Sequence, residues 1–114
     1  MRRVIVESPW AGRGRHWWQR RWDAWMNRLY AKDCCTDSIF RDEAPFAGHL
    51  FYTLFLDDGH TGERNRGLRA GKEWLGQAEL VAVYVDRGVS PGMRRGIEWA
   101  KEAGVPWEYR SLNR

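Results

Sequence analysis

Val4-Ile5-Val6 is a run of three β-branched residues cut off by Glu7-Ser8-Pro9, the pattern of a buried parallel strand that ends in a loop. Pro9, Gly12 and Gly14 hold the following stretch irregular, and a helix is predicted from about residue 15 to residue 38. Inside it Trp18, Trp22, Trp25 and Leu29 recur at i, i+4, i+7 and i+11, which lines them along one helix face. Residues 42–47 read as a turn and a very short strand. Residues 49–56 read as a buried apolar segment, helical by its place after a strand. Asp57-Asp58-Gly59-His60 breaks it, and a second helix opens near Thr61, carries Leu68, Ala70, Trp74 and Leu75, and ends near Gly76.

Residues 80–85 form the clearest strand, apolar almost throughout and therefore covered on both faces. The loop 86–93 leads into a third helix that runs to about Ala103 and closes at Gly104, and residues 105–109 supply a last strand. Apolar strands alternating with helices predict an α/β fold: one domain with a parallel sheet of about four strands, flanked by helices and joined by right-handed crossovers. In such sheets ligands bind beyond the carboxyl ends of the strands, where strand order reverses. The loops after the two best strands, 7–14 and 86–93, are expected to be neighbours there.

Composition narrows the picture. A chain of 114 residues matches one domain and buries a core without covalent staples. Cys34 and Cys35 are adjacent, which is poor geometry for bridging each other, so a reducing, cytoplasmic setting is expected. His16, His49 and His60 are scattered and no metal site or cofactor is predicted. The amino-terminal apolar run is too short for a signal-peptide core, and no stretch approaches the ~20 apolar residues of a membrane span.

The net charge of +4 is concentrated. Arg2, Arg3, Arg13, Arg15, Arg20, Arg21 and Arg28 crowd the first quarter, interleaved with Trp10, Trp17, Trp18, Trp22 and Trp25. Arginine among aromatics suits a single-stranded nucleic-acid surface. The same residues also fit an amphipathic helix with a solvated arginine face and a tryptophan face against protein, which the spacing favours. Eight tryptophans exceed what one small core hides, so a homo-oligomer through Trp17, Trp18, Trp22 or Trp25 is expected.

Chemistry collects in the loops. Ser90 can cap the third helix, Pro91 suits its first turn and Gly92 lets a ligand approach the backbone, making an anion site with Met93 beside it. Asp86 at the strand end is placed for sugar hydroxyls. Ser8, Pro9 and Gly12 form the facing loop, and His49, Asp57 and Arg64 are the polar residues expected to close the site.

Taken in order, 6–12 (Val-Glu-Ser-Pro-Trp-Ala-Gly), 43–50 (Glu-Ala-Pro-Phe-Ala-Gly-His-Leu), Asp57-Asp58 with Glu63-Arg64, Ala70-Gly71, and Ser90-Pro91-Gly92-Met93 with Gly96-Ile97 carry a resemblance. The chain resembles a family of small, mostly phage and bacterial proteins of unassigned function, similar in turn to nucleoside 2-deoxyribosyltransferases. The likeness spans nearly everything outside residues 12–27. It implies a Rossmann-like fold, multimers, and a glutamate nucleophile four residues after the glycine of the helix-opening loop. That position is Gly96 here, which has no carboxylate, and Glu98 two residues on points to another side of the helix. Glu7 and Glu43 are the other candidate carboxylates. The expected function is binding of a nucleoside, nucleotide or ADP-ribose-like molecule, with N-glycosidic cleavage or transfer as its chemistry. The alternatives are a non-catalytic nucleotide binder and a nucleic-acid-binding module.

Overall fold

The structure, a computed structural model, describes residues 1–112. Strand β1 (Arg2–Glu7) leads to helix α1 (Trp17–Phe40), strand β2 (Glu43–Phe46) and a short helix α2 (Gly48–Phe51) that runs into a 3-10 turn, Tyr52–Leu54. Helix α3 (Thr61–Glu73) ends in a second 3-10 turn, Trp74–Gln77, before strand β3 (Leu80–Tyr84), helix α4 (Pro91–Ala103) and strand β4 (Trp107–Arg110). All strand pairs are parallel and the order is β2-β1-β3-β4. This is a Rossmann-like α/β arrangement, and β1 lies beside β3 with Val4 opposite Leu80 and Val6 opposite Ala82.

Alternation along the strands divides the core between two faces. Val4, Val6, Leu80, Ala82 and Tyr84 pack under Tyr30 and Cys34 of α1. Val81 and Val83 face Met93, Ile97 and Ala100 of α4, with Leu75 beside them. All five β3 residues are buried, as a strand covered on both faces requires.

One expectation, the burial of residues 49–56, is overturned. The tryptophan stripe of α1 is not part of this chain's core: Trp17, Trp18, Trp22 and Trp25 are all exposed. The buried stripe is Asn27, Tyr30, Ala31, Cys34 and Ser38. Its polar atoms find partners inside, which is what lets it be buried. Asn27 donates to the Ala11 carbonyl and accepts from Arg87, the Tyr30 hydroxyl donates to Asp86, and Ser38 donates to Glu43. Nor is the segment 49–56 buried, since Phe51, Leu54 and Phe55 stand in solvent and only its inner residues reach the core. Among the described residues no helix is long and apolar enough to cross a membrane.

Candidate functional site

From β1 the chain crosses to β2 on one side, while β3 and β4 extend the sheet on the other. The order therefore reverses between β1 and β3, and a cleft of about 380 Å³ opens beyond the carboxyl ends of these two strands. One wall is the loop after β1. The other walls are α2 with its 3-10 turn, the inner face of α3, and the first turns of α4. Ser8 and Ser90 both line it, so the two loops are neighbours.

Glu7, the last residue of β1, sits at the floor. Its side chain fills the space above Gly96 of α4: a Cβ placed on Gly96 would lie 2.7 Å from the Glu7 Cδ and Oε1. Glycine at 96 is thus what admits the carboxyl into the cleft. Among the described residues the Glu7 carboxyl makes no hydrogen bond. Burial raises its pKa to about 8, against the opposing pull of the Arg95 guanidinium, so the group is largely protonated at neutral pH.

Next to it, the Ser8 hydroxyl and His49 Nε2 lie 2.8 Å apart, and Trp10 meets the His49 ring edge-on at 5.3 Å. Burial lowers the His49 pKa to about 4, so this imidazole is neutral when it pairs with Ser8. Across the cleft, Lys72 Nζ and the Arg95 guanidinium lie 4.7 Å and 5.4 Å from the centre of the Trp99 ring. Arg13 and Arg64 add two more cations to the lining, against the carboxylates Asp58 and Glu63. With Glu7 protonated, the cleft is cationic. Trp10, Tyr52 and Trp99 supply flat apolar walls.

Ser90 caps α4 by accepting from the Met93 N–H, and its carbonyl takes the Arg94 N–H. Pro91 has no N–H, so among the described residues Gly92, which lines the cleft, is the one position of this first turn whose N–H has no partner. A Cβ at Gly92 would meet nothing closer than 3.9 Å.

The structure brings Glu7, Ser8, Pro9 and His49 together with Arg64, Ser90, Gly92 and Met93 around this cleft. It leaves five other candidates outside. Gly12 packs on α1, where a Cβ would fall 1.8 Å from the Arg20 carbonyl oxygen, so its small size serves the loop's approach to the helix. Asp57 caps a tight turn by accepting from the Gly59 N–H. Asp86 accepts from the Ser111 hydroxyl, the Tyr30 hydroxyl and the Leu112 N–H, fastening residues 111–112 to the end of β3. Glu43 is locked to Arg110, Arg2 and Ser38, and Glu98 pairs in solvent with Lys101. The lining residues missed from sequence include Trp10, Tyr52, Lys72, Arg95 and Trp99. Those on α3 were legible in principle, because Arg64, Gly67, Leu68, Gly71 and Lys72 share one helix face by spacing. Among the described residues no group of three His, Cys, Asp or Glu side chains is placed to hold a metal ion.

A family profile described as "Domain of unknown function (DUF7768)" matches residues 2–110. Among solved structures, the chain is similar to the 2-deoxyribosyltransferase from the psychrotolerant bacterium Bacillus psychrosaccharolyticus. The TM-score is 0.64 at 13% sequence identity, over 96% of this chain and 72% of that one. At that identity the likeness is one of fold. No curated protein matches the chain.

Proposed function

The chain belongs to the DUF7768 family of domains of unknown function, and from that premise and the cleft's geometry we propose that it binds a nucleotide and breaks its N-glycosidic bond, with Glu7 as the acid. The observation that carries this reading is the Glu7 carboxyl, without a hydrogen-bond partner among the described residues and held over Gly96 at the floor of an aromatic-walled cleft, where burial raises its pKa to about 8. The fold shared with a protein described as a 2-deoxyribosyltransferase supports the choice of bond.

The base lies against the aromatic walls and the phosphate takes the Gly92 N–H with Arg95 or Arg64. ADP-ribose-like molecules carry the same groups. Glu7 gives its proton to a nitrogen of the base as the C1′–N bond breaks, and the bonding pair leaves with the base. Water adds at C1′ and returns a proton to the Glu7 carboxylate, so each turnover consumes one water and yields free base and sugar phosphate. Positioned acids of this kind contribute about 10²- to 10⁴-fold in rate. The neutral His49 imidazole, held by Ser8, is available to a sugar hydroxyl or the incoming water.

A second reading is a binder without turnover, favoured by Gly96 standing where the similar transferases carry their nucleophile. One experiment separates the two: thermal shift and free-base release measured together on nucleosides, nucleoside 5′-monophosphates and dinucleotides. The proposal expects a larger shift with the monophosphate than with its nucleoside, together with release of base. Shift without release selects the binder, and no shift with any member of the panel rejects both.

A further inference from the structure

The exposed face at the amino-terminal end of α1 has a composition the cleft does not explain. Trp17, Trp18, Trp22 and Trp25 are between 47% and 65% exposed, with the Trp22 and Trp25 rings 5.3 Å apart. Arg21 is three residues from Trp18 and four from Trp25, and Arg28 is three from Trp25, so these cations and rings are neighbours on the helix surface. The guanidiniums of Arg15, Arg21 and Arg28 make neither an ion pair nor a hydrogen bond among the described residues. The face is also continuous with the cleft. The Arg28 guanidinium lies over the ring of Trp10 at 5.7 Å, and Trp10 lines the cleft, as does Arg13.

We propose that this arginine–tryptophan face binds single-stranded nucleic acid, leading along Arg28 and Trp10 so that the neighbouring nucleotide enters the cleft. The inference rests on the nucleotide reading of the cleft for that last step only. Unpaired guanidiniums spaced along a line of exposed rings match a chain that alternates phosphates with flat bases. A second copy of the protein is a poorer match. Pairing this face with itself brings two sets of unpaired arginines together. The carboxylate among them, Asp23, is already held by the Arg87 guanidinium at 2.6 Å and by the Arg13 N–H.

The test is fluorescence anisotropy of the full chain with labelled oligodeoxynucleotides of one, three, six and twelve residues, repeated across salt. The parent is expected to bind the hexamer at least tenfold more tightly than the mononucleotide, with log affinity falling about two units per log unit of salt if three phosphates are paired. Arg21→Glu with Trp22→Ala, both exposed and outside the cleft, should remove that gain while leaving the mononucleotide thermal shift unchanged. Equal affinity for mononucleotide and hexamer overturns the proposal, as does a double variant that binds the hexamer like the parent. Light scattering that shows a dimer abolished by the same two substitutions, or anionic vesicles that compete the hexamer away, also overturns it. Hexamer binding that needs Arg21 and Trp22, without any mononucleotide shift, upholds the α1 face and rejects the cleft reading instead.

Discussion

Glu7 shows most directly how one residue's surroundings set its chemistry. Its raised pKa carries a thermodynamic signature. Below about pH 4.5 the carboxyl is protonated in folded and unfolded chains alike and costs nothing. As pH rises from 4.5 toward 8 the unfolded chain ionises first, and stability falls by about 1.4 kcal/mol per pH unit until the folded group ionises too. His49 acts in the opposite sense between its ordinary 6.5 and about 4, where acid favours the unfolded chain. The two slopes cancel between pH 4.5 and 6.5, so the melting temperature should be flat there and decline on the alkaline side. Glu7→Gln is expected to remove the alkaline decline and raise the melting temperature at pH 8 by several degrees relative to the parent, with little difference at pH 4.5. Calorimetry of both proteins across this range checks it, and parallel pH profiles for the two would show that Glu7 is not buried as described. None of this was legible in the sequence, where Glu7 was one candidate carboxylate among three. What decides for it is the facing glycine on α4, a contact 89 residues away along the chain.

Among elements, the strands were the readiest to read. An apolar run such as 80–85 says strand and two-sided burial at once, and β1 and β3 fell where that pattern put them. Helix α4 was equally open because Ser90-Pro91 is a start signal in itself. Helix α1 misled. Its hydrophobic stripe points outward, and the stripe that packs mixes Asn27, Tyr30 and Ser38 with Ala31 and Cys34, which hydrophobic spacing cannot detect when the buried polar atoms have partners supplied from elsewhere in the fold. The first turn of α4 also holds less than its sequence promised, since the cap and the proline leave the Gly92 N–H as the free donor. That makes Gly92 a sharp probe. Gly92→Val has open space around it, so the fold should persist, while the branched side chain crowds the donor and the phosphate it serves. Losing a hydrogen bond to a charged group, about 1.5–3 kcal/mol, predicts roughly ten- to a hundredfold weaker binding of a 5′-monophosphate. Titration calorimetry alongside circular dichroism measures both; a folded variant with parental affinity would move the phosphate elsewhere.

For the molecule as a whole, the sheet is fastened by charges as well as by its core. Glu43 of β2 and Arg110 of β4, one on each edge strand, meet in two hydrogen bonds of 2.7 Å and 2.8 Å, joined by Ser38 of α1 and Arg2 of β1. Hydrogen bonding from Arg110 holds the Glu43 carboxyl down at about pKa 2, so the pair persists through ordinary acid conditions. Arg110→Ala leaves the buried Glu43 carboxylate to Arg2 and Ser38 and should cost about 1.5–3 kcal/mol by urea unfolding, more than Glu98→Ala, whose partner Lys101 is in solvent. The proposed chemistry stands beyond the carboxyl ends of β1 and β3, at Glu7. The most direct measurement of it is free-base release from nucleoside 5′-monophosphates by the parent and by Glu7→Gln, followed from pH 6 to pH 9.5. Parental kcat/KM is expected to decline through about pH 8 as Glu7 loses its proton, and a folded Glu7→Gln to bind the nucleotide still but release base at least a hundredfold more slowly. Release by Glu7→Gln at the parental rate, or a parental profile that rises through pH 8, would contradict this role of Glu7.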